Sequence, residues 1–130
     1  MVGRATLQGL PVDLASVHLH PGAAGAACRK EQLGKVLGRC DLAGCFLLDD
    51  MDVREEEVEE WCSVRGLAEA KHCGTSWNPA RNRYHAQSAD FRGRGFCFDR
   101  VLCSGHVAAQ AFLVGQCRVF CDGKDFCLSD

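Results

Sequence analysis

Hydrophobic positions along this chain fall into short blocks separated by polar and glycine-rich breaks. The first readable block runs from Asp13 to His20, where weak alternation sets Val17 and Leu19 between polar neighbours, so a short strand ending at Pro21 is expected. Gly22 to Ala27 reads as a loop or a helix entry. Arg29 to Arg39 then carries Leu33, Val36 and Leu37 at helical spacing, with Glu31 and Lys35 in the favourable i, i+4 order; this predicts an amphipathic helix. Cys45-Phe-Leu-Leu48 is a compact apolar run opening onto two aspartates, as a buried strand entering a loop would. A second helix is expected from Val53 to Cys73, capped by Asp52, with glutamates in its positive first turns and Gly74 as its stop.

Residues 74–95 are rich in Gly, Asn, Pro, Ser and Arg without an apolar period, and are expected to form a long loop. Phe96 to Cys103 is strand-like, Gly105 to Gly115 reads as a small-residue helix, Arg118 to Cys121 as another strand and Phe126 to Leu128 as a last edge. Strands alternating with helices predict a single α/β domain over residues 1–130, in three layers, with a small, mainly parallel sheet and helices on both faces. Open sheets of that kind bind ligands at the carboxyl ends of their strands. Two segments would share that edge: Asp49-Asp50-Met51-Asp52, and Cys103-Ser104-Gly105-His106.

Composition narrows the classes. With 130 residues and 47% hydrophobic content the chain can bury a core without staples. Its net charge of −2 exerts no global pull toward nucleic acid or membrane, and no apolar run approaches the length of a membrane span. Gly9, Pro11 and Asp13 interrupt the first twenty residues, which therefore hold no signal-peptide run. A cytoplasmic protein is expected, with its ten cysteines reduced. No two of those cysteines are separated by only two residues, which disfavours zinc knuckles, and no cofactor is expected. The nearest pair, Cys117 and Cys121, would serve as a redox pair or as metal ligands only if further ligands converged. Charge is unevenly spread. The acidic run from Asp49 to Glu60 is either a solvated helix face or a surface for a basic protein partner. Arg81, Arg83, Arg92, Arg94 and Arg100 are either solvated or the feed of an anion site.

Cys103 is the one thiol placed between an apolar strand and an expected helix start, where free N–H groups and the helix dipole would stabilise a thiolate. It is the candidate nucleophile, weighed against a buried cysteine acting as a small hydrophobe. His106 would tune the thiolate, the N–H groups of Ser104, Gly105, Val107 and Ala108 would hold developing charge, and Arg100 would attract an anion. His18 and His20 flank Leu19, so on a strand both imidazoles share one face; a small metal site completed by Asp49, Asp52 or His72 is the alternative to a solvated strand end. Trp61 and Trp77 are expected to pack, since no aromatic and basic stripe accompanies them. Gly93-Arg-Gly95 precedes a strand and lacks the third glycine of a nucleotide loop.

Several short pieces follow one family's order. Asp52-Val-Arg-Glu55, His72-Cys-Gly with Asn78-Pro79, Cys103-Ser-Gly-His-Val-Ala-Ala109 and Val119-Phe-Cys-Asp-Gly123 resemble the turn, linker, active-site loop and closing turn of a single rhodanese-like domain. Ala108 stands where that loop commonly carries arginine. The resemblance implies a sulfurtransferase with a Cys103 persulfide and a small anionic sulfur donor. Gly105-His-Val-Ala-Ala109 with Phe126-Cys-Leu-Ser-Asp130, and Asp50-Met-Asp-Val53, are similar to blocks of the crotonase family, which would imply a truncated acyl-CoA-binding domain. A non-enzymatic interaction module using the acidic helix at 52–73 is the third expectation.

Overall fold

Gln8 and Gly9 both hold positive φ, 52° and 83°. That backbone is the two-residue turn whose twist suits an antiparallel hairpin, and it joins β1 (Val2–Leu7) to β2 (Leu10–Ser16) with Leu7 opposite Leu10. Pro11 fits there because its missing N–H would point away from β1, at a position before β3 begins to pair. The computed structural model of the chain describes residues 1–72, 74–78, 95–104, 107–111, 118–121 and 124–127. They fall into two compact units, Met1–Lys71 with Phe98–Ala111, and His72–Cys97 with Phe112–Asp130.

The first unit is a five-stranded sheet in the order β1-β2-β3-β5-β4. β2 leads through a 3-10 turn (Ala23–Gly25) into α1 (Ala26–Leu37), and the chain returns as β3 (Cys45–Asp50), parallel to β2 with Asp13 opposite Cys45. α2 (Glu55–Arg65) follows, then β4 (Leu67–Glu69) and β5 (Asp99–Ser104). β5 runs antiparallel to both β3 and β4. α1 buries Arg29, Leu33 and Leu37, and α2 buries Val58 and Trp61. These helices share one core with Ala15, Val17, Leu19, Cys45, Leu47 and Leu102 from the strands, and Arg29–Glu57 and Lys30–Glu60 ion pairs join them.

This corrects the expected fold class. Among the described residues β2–β3 is the one parallel pairing of the sheet, and both helices serve the same core. A strand-helix-strand order fixes a parallel crossover only when the second strand lies beside the first in the same sense; β5 instead inserts between β3 and β4 with reversed polarity. The second helix is also shorter than expected. Gly66, in the left-handed region at φ 64°, donates its N–H to the Cys62 carbonyl and stops α2, and Arg54 in extended backbone precedes it, so neither Asp52 nor Gly74 bounds it. The Glu31–Lys35 pair forms as expected, at 2.7 Å.

In the second unit Trp77 and Phe96 pair as an isolated antiparallel bridge, with ring centroids 6.1 Å apart. β6 (Arg118–Cys121) and β7 (Lys124–Cys127) form an antiparallel pair. No helix is found at 107–111; the remaining positions of the expected helix over 105–115 lie outside the described residues. No helix among the described residues is long and apolar enough to cross a membrane.

Candidate functional site at the carboxyl end of the parallel strands

β2 continues past Ser16 in extended form, its Val17 N–H bonding the Leu48 carbonyl and its Leu19 N–H the Asp50 carbonyl. Val17 and Leu19 are buried and His18 and His20 exposed, so both imidazoles lie on one face, as their spacing predicts. β3 ends in the same direction. Beyond it, Met51 and Val53 insert into the core and turn Asp50 and Asp52 outward, while the Met51 N–H bonds the Phe98 carbonyl just before β5. Register then sets Asp99 directly opposite Asp50. Three chain segments therefore meet here: 17–22, 50–54 and 98–99.

Their geometry is held by specific bonds. Arg29 has a fully buried side chain, donates from Nε and Nη2 to both Glu57 carboxylate oxygens at 2.9 and 2.6 Å, and from Nη1 to the His20 and Gly22 carbonyls at 2.8 and 2.7 Å. That bidentate contact with Glu57 raises the affinity of its guanidinium for its proton, and the rest of the fork clamps the loop after β2. Gly25 must be a glycine for this approach, since a Cβ there would lie 2.6 Å from His20 Nδ1 and 2.8 Å from Arg29 Nη1. The Gly22 N–H donates to the Asp52 carboxylate, which also accepts from Arg54 Nη1 at 3.1 Å. Arg54 in turn lies 5.0 Å above the Phe98 ring.

Asp49 and Asp52 sit at positive φ, 110° and 43°. Backbone in that region is costly for a residue with a Cβ, and it concentrates where a loop has work to do. Asp49 is held by Ser16, whose hydroxyl donates to its carboxylate at 2.8 Å. His18 Nδ1 lies 3.5 Å from Asp50 Oδ2, and their side chains are 75% and 41% exposed. Burial raises the Asp50 carboxyl above its ordinary range; the Asp52 N–H and His18 oppose that shift, and Asp99 and Asp52 add to it. An exposed imidazole and a partly buried carboxyl thus stand side by side at the strand end.

The other expected edge segment lies elsewhere. Because β5 is antiparallel to β3, Cys103 is opposite Phe46 near the start of β3, at the far end of the sheet from Asp50. Cys103 is 2% exposed, and its Sγ faces the Ala68 and Val107 carbonyls, each at 3.4 Å, where amides were expected. Burial pushes its thiol up, so this environment disfavours the thiolate. Ser104 is buried and its hydroxyl accepts the Cys45 N–H at 3.2 Å; Val107 donates its N–H to the Ser104 carbonyl in a turn, and Ala108 is exposed. Gly105 and His106 lie outside the described residues, as do Arg81, Arg83 and Cys117. Arg100 is buried between Glu55 and Glu69, so it serves the packing of α2 and β4. The acidic helix is likewise used internally: Glu55, Glu57 and Glu60 pair with Arg100, Arg29 and Lys30. His20 directs Nδ1 to the Pro21 carbonyl, and among the described residues no group of three or more His, Cys, Asp or Glu side chains is arranged to hold a metal ion. Asp99 and Arg29 belong to the site without having stood out in sequence, since each reaches it only through long-range pairing.

No family model and no curated protein matches the chain. Solved structures resemble it in fold. TDP2 from D. rerio, crystallised with a single-strand DNA product, superposes with a TM-score of 0.60 at 19% identity, over 79% of this chain and 45% of its own. A beta toxin from Staphylococcus aureus gives 0.65 at 14% identity, over 96% and 51%. Truncated TDP2 from Caenorhabditis elegans gives 0.54 at 20%, over 80% and 45%. The chain thus spans about half the length of these structures, and at such identities the likeness is one of fold. None of them is a rhodanese or a crotonase.

Proposed function

We propose that the chain handles a phosphodiester, with the end of a single DNA strand as the ligand class, at the open edge formed by His18, Asp50 and Asp99. The observation that carries the reading is the 3.5 Å His18–Asp50 pair at the carboxyl end of the one parallel strand pair described, opposite Asp99. Support comes from the fold shared with TDP2, whose D. rerio form was crystallised with a single-strand DNA product. His18 would take a proton from a water attacking phosphorus as the P–O bond to the leaving oxygen breaks, and Asp50 would orient the imidazole and stabilise its charged form. The imidazolium formed on His18 as it takes the proton would stand beside the charge that develops on the phosphate. Phosphodiester enzymes commonly add a divalent cation to such carboxylates. Among the described residues no three His, Cys, Asp or Glu side chains are grouped to hold a metal ion, and the roles proposed are those of the side chains themselves.

The test is hydrolysis and binding of a short fluorescent single-stranded DNA. His18→Ala and Asp50→Asn should each abolish hydrolysis, whereas Asp50→Asn should leave binding equal or tighter, because it removes a like charge from the edge. Hydrolysis that survives both substitutions, or a wild-type chain that neither binds nor cleaves, overturns the reading.

A further inference from the structure

Independently of that site, the second unit contains a thiol beside an imidazole. Cys97 Sγ lies 3.2 Å from His72 Nε2, across the 25 residues that separate them, and both side chains are partly exposed. The bridge between Trp77 and Phe96, closed by reciprocal N–H to carbonyl bonds of 2.9 and 2.7 Å, fixes the residue next to Cys97. Gly95 packs against Thr75 so closely that a Cβ there would come within 2.7 Å of it, so the two segments carrying the pair are locked in register.

We propose that Cys97, activated by His72, is a reactive thiol and a modification site for soft electrophiles. The proton on sulfur passes to Nε2 within the existing contact, leaving a thiolate next to an imidazolium; the sulfur then attacks the electrophilic carbon, an S–C bond forms, and the leaving group departs with the electron pair of the bond it breaks. The imidazolium releases its proton to solvent. Three of the other described thiols are less suited. Cys45, Cys62 and Cys103 are all shifted upward, chiefly by burial, and Cys45 reaches about 12. Cys28 is exposed, in the first turn of α1, and serves as the internal reference.

Iodoacetamide, which transfers its carbamoylmethyl group to sulfur and releases iodide, tests this on the full chain with peptide mass spectrometry at each cysteine. At pH 6.5 Cys97 should react about fivefold faster than Cys28, the larger thiolate fraction being partly offset by the lower nucleophilicity of a less basic thiolate. His72→Gln should bring Cys97 back to the Cys28 rate or below it. Should that variant fail to fold, the pH profile of the wild-type chain decides: an inflection for Cys97 clearly below that of Cys28 supports the pair. Equal inflections, a Cys97 rate no greater than that of Cys28, or a rate unchanged in folded His72→Gln overturns the proposal.

Discussion

The two ends of the β2–β3 strand pair carry carboxylates that are built in opposite ways. At the start of β3, Asp13 is buried and receives two Arg4 guanidinium bonds, at 2.9 and 3.3 Å, and the Asp41 N–H at 2.7 Å; the Arg4 bond first, then the Asp41 N–H, hold its carboxyl below the ordinary value of 3.8. Cys103 lies at this end as well, enclosed and facing carbonyls. At the other end Asp50 is partly buried, and burial first, with Asp99 and Asp52 adding to it, raises its carboxyl. Where polar groups are saturated with partners they hold the fold together. Where a partly buried carboxyl stands near like charges instead, its affinity for a proton is raised.

The largest effect that would break this comparison comes from Arg29. Arg29→Ala leaves Glu57 and two loop carbonyls without their buried donor, and should cost about 3–5 kcal/mol in urea unfolding, the usual penalty for half of a buried ion pair. A loss near zero would mean that the open end is not preorganised by this clamp. Asp13→Asn comes next. Because the folded state holds the Asp13 carboxyl low, its contribution is present above pH 3.8 and lost as pH falls through the folded value, so thermal melts of the variant should lose stability at neutral pH and show a flatter acid limb.

Asp49 tests the strained turn at the open end. Asp49→Gly and Asp49→Ala both forfeit the Ser16 bond, but only glycine is at ease at φ 110°, so the glycine variant should be about 1 kcal/mol more stable than the alanine one. The smallest and most diagnostic effect belongs to Asp50→Asn. A raised carboxyl favours the fold at low pH, and that contribution is lost as pH rises from 3.8 through the folded value; removing the charge should therefore leave the variant equal to or slightly more stable than wild type at pH 7, with no such gain at pH 3. A marked loss at pH 7 would place Asp50 among the structural carboxylates with Asp13.

Much of this was legible locally. Leu33 and Leu37 face the core of α1 as the helical period implies, the i, i+4 pair forms, and His18 and His20 share a face because a strand alternates. Other elements depart from the expected pattern for identifiable reasons. Gly9 and Pro11 look like strand breakers, yet one belongs to a tight hairpin turn and the other sits where its N–H has no partner to lose. Gly66 stops α2 before the apolar and small residues that follow it could extend the helix.

The character of single elements was thus settled by the chain itself, because helical and strand periodicity are set within a few residues by backbone geometry. What only the tertiary structure decided was direction and adjacency. The reversed polarity of β5 carries Cys103 to one end of the sheet and Asp99 to the other, next to Asp50, and pairing across 28 residues brings Glu57 to Arg29. No local spacing encodes such choices, since strand polarity and long-range pairs are selected by how the whole core packs. Both candidate sites, the carboxylate edge and the Cys97–His72 pair, arise from those selections.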